Sequence, residues 1–298
     1  MALPASCHAG PVTLRLGPCE LAPDEPAVMA IVNRTPDSFY DRGATFAREA
    51  ALDAADRAVR EGARIVDVGG VKAGPGDPVD VPAEIDRVVE VIAEIRARHP
   101  QVAISVDTWR HEVAEVAVDA GADLLNDTWG GVDPRLAEVA GRRGVGLVCA
   151  HAGRLTPRTR PFRVAYDDVV ADVVAFTTAL AERAVALGVR PDGILVDPAH
   201  DFGKNTRHSL ELTRRLDALV ETGWPVLVSL SRKDFVGETL DLPPDGRLAG
   251  TLAATAVSAW HGAQVFRAHD VAATRQVLDT VASIRGVRPP AVARRGLA

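Results

Sequence analysis

The chain is poor in cysteine, has no long apolar run and, one loop apart, carries no concentration of charge of one sign, and each lack removes a class of protein. Its three cysteines, Cys7, Cys19 and Cys149, share no paired spacing and no metal-ligand pattern. A disulfide framework is therefore not expected, and structural thiols in a reducing compartment are. No apolar stretch approaches the roughly 18 residues that a membrane span needs. Met1 to Pro26 shows neither an opening basic cluster nor a sustained apolar run, so no secretory signal is expected and a cytoplasmic location is. With 34 basic residues against 40 acidic ones the net charge is -6, too little positive charge for a nucleic-acid surface. The expected partner is a small molecule, with neither nucleic acid nor membrane. A Gly-rich phosphate loop is also lacking after the first apolar run, where Asn33-Arg34-Thr35-Pro36 stands. That counts against an open doubly wound sheet.

What is present is an alternation. Short, β-branched apolar runs are each followed by a segment with helical periodicity. The runs are Val28–Val32, Arg64–Val68, Val102–Val106, Leu124–Leu125, Gly146–Ala150, Ile194–Val196, Val226–Leu230 and Val265–Phe266. The helical segments between and after them are Arg48–Arg60, Ala83–Arg98, His111–Asp119, Pro134–Arg143, Tyr166–Leu187, Thr206–Leu219, Arg247–His261 and Val271–Ile284. Eight such units predict an α/β fold of the (β/α)8 TIM-barrel class in a single domain. The expected barrel covers residues 27–286, after an extension at 1–26 and before a tail at 287–298. Glycine in Glu61-Gly62-Ala63, Ala120-Gly121-Ala122 and His261-Gly262-Ala263 falls where a helix hands over to the next strand.

Each apolar run delivers a polar residue at its C-terminal end: Asn33, Asp67, Asp107, Asn126, His151, Asp197, Ser231-Arg232-Lys233 and Arg267-Ala268-His269-Asp270. In a closed parallel barrel the loops after the strands share one face, so these residues converge there. Asp107 and Asp197 close apolar runs and should be partly desolvated, which is costly unless partners take their lone pairs. A helix-capping role is the plain alternative for either one. Two carboxylates with the amide of Asn126 suit a flat heterocycle with a guanidine-like edge. Paired catalytic carboxylates of the glycosidase kind are the competing functional reading, but that chemistry gives no reason for the cations nearby. Lys233, Arg267 and His269 come after the last two strands, where a barrel commonly holds phosphate. Asn33 could meet a metal-bound phosphate from the other side. A flat heterocycle on a phosphate or pyrophosphate leaving group is the ligand these residues describe.

The segments Asn33-Arg34-Thr35-Pro36-Asp37-Ser38-Phe39, Asp67-Val68-Gly69-Gly70, Ser105-Val106-Asp107-Thr108, Asn126-Asp127, Asp197-Pro198 with Asp201-Phe202-Gly203-Lys204, Ser231-Arg232-Lys233 and Arg267-Ala268-His269-Asp270 together resemble dihydropteroate synthase, in order from about Val28 to Ile284. The resemblance implies a cytosolic barrel, usually a homodimer, that joins 6-hydroxymethyl-dihydropterin pyrophosphate to 4-aminobenzoate with Mg2+. It implies that Asp107, Asn126, Asp197 and Lys233 hold the pterin and that Arg267 lies over the ring and reaches the pyrophosphate. Asn33 and His269 would attend the metal and phosphates, and Phe202 and Ser231 would border the 4-aminobenzoate. The corrinoid-linked methyltetrahydrofolate methyltransferases share a pterin barrel, but the pyrophosphate elements here set the chain apart from them.

The sequence departs from that family at the second loop. Members that work as synthases carry Glu-Ser-Thr-Arg after Gly-Gly, whereas this chain has Val71-Lys72-Ala73-Gly74. Each charge-assisted hydrogen bond lost is worth ~1.5–3 kcal/mol, or roughly ten- to a hundred-fold in rate. Arg34 stands where the family has an apolar residue and Ser229 where it has Gly. The chain is most similar to the divergent second form of actinobacteria, regarded as lacking the synthase activity. The reading is a dihydropteroate synthase-type protein whose condensation is weakened or lost; the alternative is a pterin-phosphate binding protein without catalysis. One further stretch has no counterpart in the family pattern: Arg154 to Arg163 holds four arginines and two prolines in ten residues. It is either a solvated loop or a recruiter of another anionic second ligand.

Overall fold

The computed structural model describes residues 12–35, 47–153 and 155–296. Cys7, Arg154 and the Pro36-Asp37-Ser38-Phe39 part of the first motif lie outside the described residues. The strands are β1 (Leu14–Leu16), β2 (Cys19–Leu21), β3 (Ala27–Asn33), β4 (Ala63–Gly69), β5 (Ala103–Asp107), β6 (Leu124–Asp127), β7 (Gly146–Ala150), β8 (Ile194–Asp197), β9 (Leu227–Ser229) and β10 (Val265–Ala268). The helices are α1 (Arg48–Arg60), α2 (Val81–Arg98), α3 (His111–Asp119), α4 (Arg135–Arg143), α5 (Val169–Ala186), α6 (Thr206–Arg214), α7 (Asp217–Val220), α8 (Asp234–Leu240), α9 (Leu248–His261) and α10 (Val271–Ile284). No described helix is long and apolar enough to cross a membrane.

Strands β3 to β10 form one parallel sheet in the order β8-β7-β6-β5-β4-β3-β10-β9, so the last strands pair with the first. A single parallel bridge between Val196 and Val226 brings the two ends of that order together. The result is the expected (β/α)8 barrel. Strand side chains alternate between faces, and the two faces build two cores. Outward residues such as Val66, Val68, Ile104, Val106, Leu125 and Val228 pack against the helices. Inward residues Met29, Ile65, Ala103, Leu124, Leu195, Leu227 and Val265 fill the lower barrel. Two residues further along the same inward faces the chemistry changes to Asp67, Ser105, Asn126, Asp197, Ser229 and Arg267. Apolar base and polar top are thus written into each strand by its period of two.

The extension expected before residue 27 includes the hairpin β1–β2, whose Leu14, Leu16, Cys19 and Leu21 are buried in the same inner core. It closes the barrel at the end opposite the polar residues, and Gln264 donates from its side-chain amide to Ala22 O at 2.7 Å. Other departures from expectation are local. The expected helix over 206–219 divides at Arg215 and Leu216 into α6 and α7, and α8 follows Lys233 directly. The three anticipated hand-over glycines have φ of 98°, 114° and 103° at Gly62, Gly121 and Gly262, the left-handed region in which a side chain is strained. Because Leu16 is 1% exposed in the barrel floor, Leu16→Ala should cost ~2–5 kcal/mol of stability. A denaturant titration with an unchanged slope and a lower midpoint is the expected outcome; an unchanged midpoint would show the hairpin to be dispensable.

Candidate active site

At the polar end of the barrel the inward residues tie to one another across strands. Asp67 has no solvent exposure and accepts from Ser105 Oγ at 2.5 Å, Asn126 Nδ2 at 3.2 Å and Arg267 Nε at 2.6 Å. The same guanidinium donates through Nη2 to Asp107 Oδ2 at 2.8 Å, and Thr128 Oγ1 donates to Asp107 Oδ1 at 3.3 Å. One arginine from β10 therefore bridges carboxylates from β4 and β5, an arrangement that keeps buried charge paired. Burial pushes the Asp107 carboxyl up to about 7, Arg267 pulls it down and Asp67 pushes it further up. Burial also raises Asp197, against the pull of Lys233. Asp197 does not cap the next helix: its Oδ1 takes the Ala199 amide at 2.7 Å inside a tight turn.

A second buried network stands beside the first. Lys204 is 2% exposed and donates to His151 O at 2.6 Å, Phe202 O at 2.8 Å and His151 Nδ1 at 2.9 Å. His151 Nδ1 is thus the acceptor nitrogen, and Nε2 carries the proton toward Asp172 Oδ1 at 2.9 Å. Burial and the neighbouring Lys204 lower His151 to about 4, and burial lowers Lys204 to about 7 against the pull of Asp197. Backbone strain concentrates in the same loops. Ala199, Asp201 and Arg232 have φ of 48°, 70° and 55°. Such left-handed non-glycine residues persist when their surroundings hold them. Arg232 is held by Asp270 through Nε at 2.9 Å and Nη2 at 3.0 Å, and by the carbonyls of Pro244 and Asp245, so it braces the rim and does not face a ligand.

Above these networks opens a cavity of about 770 Å³, within the range of small-molecule sites. Asn33, Asp107, Phe202, Ser231, Lys233, Arg267 and His269 line it, seven of the nine residues expected to form the site. Asn126 and Asp197 do not line it; they are buried, at 2% and 5% exposure. Lys233 Nζ donates to His200 O at 2.5 Å and stands 4.9 Å from the centre of the Phe202 ring, which meets Trp129 edge-on. Burial lowers Lys233, while Asp201 and Asp197 raise it. His269 Nδ1 lies 3.0 Å from Ser231 Oγ. A Cβ placed on Gly69 would lie 3.2 Å from Asn33 Oδ1 and 3.9 Å from Asp107 Oδ2, so an amide oxygen and a carboxylate oxygen flank one spot. The set offers acceptors for a flat N–H edge at the base and cations for an anion above it.

Comparison with known proteins shows the family to which the chain belongs. The family model described as "Pterin binding enzyme" matches residues 29–269. The chain belongs to this family. It is 62% identical over 282 residues to "Inactive dihydropteroate synthase 2" of Mycobacterium leprae, covering 93% of this chain and 97% of that relative. It is 39% identical to the "Dihydropteroate synthase" of the same organism, covering 85% and 92%. The dihydropteroate synthase of Yersinia pestis in a sulfonamide drug complex superposes with a TM-score of 0.87 at 35% identity, over 93% of this chain and all (100%) of that one. That of Xanthomonas albilineans in complex with 7,8-dihydropteroate gives 0.79 at 37% identity, over 90% and 97%. The chain is a divergent dihydropteroate synthase homologue.

The departures within this pterin-binding barrel have definite places. Val71 is buried and lines the cavity together with Lys72, Ala73 and Gly74, so the altered loop forms wall, not surface. Ser229 lines the same space beside Arg267, its partner in the strand register. Arg34 turns away, donating from Nη1 to Arg87 O at 2.9 Å. Sequence reasoning left Asp67 and Lys204 without a role, though both stand in quoted motifs, and left Asp172 out. For Asp67 the signal was there, a lone carboxylate between Val66 and Val68, but its partners lie on three other strands. His151 supplies a test. Folded, it takes a proton only near pH 4; its ordinary value is 6.5, so the unfolded chain binds more protons between them. Stability should be complete above about pH 6.5 and fall by about 3 kcal/mol as pH drops to about 4. His151→Gln should flatten that part of the profile, and an unchanged slope would contradict the neutral assignment.

Proposed function

We propose that this protein binds 6-hydroxymethyl-dihydropterin pyrophosphate and that its condensation with 4-aminobenzoate is slow or lost. The observation that carries the reading is the Asp67–Arg267–Asp107 bridge at the base of the cavity. Arg267 there occupies the oxygens that a pterin's amino and ring N–H groups would seek. Ligand and side chain offer the same planar donor edge, so a pterin arriving at Asp107 would displace Nη2 of Arg267 and free it for the phosphates. Asn126, Asp197 and Lys233 would complete the pterin pocket, and Phe202 and Ser231 would border the second ligand.

The chemistry asks little of a base. An arylamine is a neutral nucleophile at pH 7, so the barrier lies in expelling pyrophosphate. Lys233, Arg267 and His269 would stabilise charge on the leaving group. Mg2+ would suit the amide oxygen of Asn33 beside Gly69, because it is commonly bound by one or two protein oxygens together with substrate phosphates. Asn33 would hold it, and the ion would supply charge neutralisation at the pyrophosphate. The missing Glu-Ser-Thr-Arg is the reason for expecting slow turnover, since closure over the reacting centre would lack those groups. A cytoplasmic homodimer is part of the same proposal. Exposed Val257 and Trp260 on α9 and Ile284 on α10 support the assembly.

Two measurements test this reading. Asp107→Asn and Asp197→Asn each turn an acceptor edge into a donor. Each should weaken pterin binding by ~2–4 kcal/mol in calorimetric titration; unchanged affinity in both, with the fold intact by circular dichroism, would remove the pterin pocket. Writing Glu-Ser-Thr-Arg into positions 71–74 should raise pyrophosphate release in the presence of 4-aminobenzoate at least about tenfold, with pterin affinity little changed. Native turnover equal to that of a working synthase would contradict the proposal.

A further inference from the structure

The stretch between β7 and α5 has no role in the pterin pocket, yet it reaches the cavity. Thr159, Arg160, Pro161, Arg163 and Val164 line its wall together with Val71, Lys72, Ala73 and Gly74 of the altered second loop. Arg158 fastens the two loops together: Nη1 donates to Asp77 O at 2.7 Å and Nε to Gly74 O at 3.4 Å. Its backbone is left-handed, with φ of 65°, and that of Arg163 has φ of 47°. Pro157 and Pro161 restrict the chain on either side of Arg158 and Arg160. Loop and latch thus present Arg160 and Arg163 to the cavity.

Charge makes that presentation informative. Arg160 and Arg163 are exposed, and among the described residues no carboxylate lies within ion-pairing distance of either; Arg163 rests instead 5.2 Å from the centre of the exposed Phe162 ring. The carboxylates that line the cavity have other partners: Asp107 has Arg267 at 2.8 Å, Asp234 has Arg247 at 2.9 Å, Asp201 accepts from Ser209 Oγ at 3.1 Å and Glu238 accepts from Thr206 Oγ1. A protein of net charge -6 has therefore placed two uncompensated guanidinium groups at the mouth of its cavity. Such groups match carboxylates and phosphates bidentately and draw anions toward the opening.

We infer that Arg160 and Arg163 form an anion subsite at the cavity mouth that takes a second ligand with two or more negative charges, an arylamine with a polyanionic tail. The inference deepens the proposed function and rests on it for the position of the arylamine. The tail would lie over the second loop, where the usual side chains for a small monoanion are missing. Ligand length and charge, instead of that loop's hydroxyl and guanidinium, would then give affinity.

The test uses the full chain, saturated with 6-hydroxymethylpterin pyrophosphate, titrated calorimetrically with 4-aminobenzoate, 4-aminobenzoyl-glutamate and 4-aminophenyl phosphate at two salt concentrations. The expected result is at least about tenfold tighter binding of a multiply charged probe than of 4-aminobenzoate, weakened by salt. The glutamate and phosphate arms tell a dicarboxylate tail from a phosphate. In the variant R160Q/R163Q the preference should shrink to within about twofold while pterin affinity and thermal midpoint stay as they were. Both residues are exposed, so the variant should fold. Equal affinity for all three probes in the native chain, or a preference that survives in the variant, would overturn the inference. The same probes titrated without pterin read the subsite by itself. Absence of pterin binding with charge-graded, variant-sensitive probe binding refutes the pterin reading alone, and absence of charge-graded binding in both series refutes the subsite.

Discussion

Asp67 receives donors from three other strands at a point that solvent does not reach. Ser105 comes from β5, Asn126 from β6 and Arg267 from β10, and a carboxylate without them would be too costly to bury. The requirement works in both directions. The barrel has to close for Arg267 to meet Asp67, and the charge of Arg267 in turn makes an acceptor-rich barrel centre tolerable. Asp107 is held in the same grip, at the boundary between packed interior and open cavity. Ser105, Asn126 and Arg267 are aligned directly by Asp67, and Asp107 through Arg267.

Around it the molecule divides into a polar base and a rim that departs from the family pattern. The base keeps acceptors for a flat ring, and the wall beside β9 and β10 keeps cations. In the rim over β4, Ala73 and Gly74 stand where working synthases carry a threonine hydroxyl and a guanidinium, and the rim over β7 reaches across to hold it through Arg158. Two glycines allow the β7 and β8 loops to meet as well. A Cβ at Gly203 would stand 2.6 Å from Ala152 O and 2.7 Å from Gly153 Cα. The rims over β4, β7 and β8 are thus joined, although β5 and β6 stand between β4 and β7 in the sheet.

How far the sequence spoke depended on whether the signal was periodic or relational. The bounds of α1, α3 and α10 coincide with expectation because each presents one apolar stripe at helical spacing between clear breaks. The eight barrel strands were legible for the same reason, each being a short buried run with a polar end. β1 and β2 were not, since three residues on either side of Gly17 and Pro18 are too few to show alternation. The division between α6 and α7 leaves no breaker residue to read, and α8 is too short to show a period. At the site, the type and strand of most residues were visible, whereas the role of Asp67, the burial of Lys204 under His151 and the reach of Arg158 to Asp77 depend on contacts between segments 38 to 200 residues apart. No local pattern encodes such distances.

The register of β3 against β10 has a consequence for how the chain is made. Met29 and Arg267 stand side by side in the finished sheet although nearly the whole barrel separates them in sequence. During synthesis β3 and β4 can pair early, but the other edge of β3 has no partner until the final strand appears. An unpaired, apolar parallel edge is a template for the wrong neighbour. The hairpin β1–β2 precedes it and buries its leucines in the same core, so the first part made and the last part made close the barrel together. A chain that stops before β10 would therefore leave β3 paired with β4 on one side and open on the other.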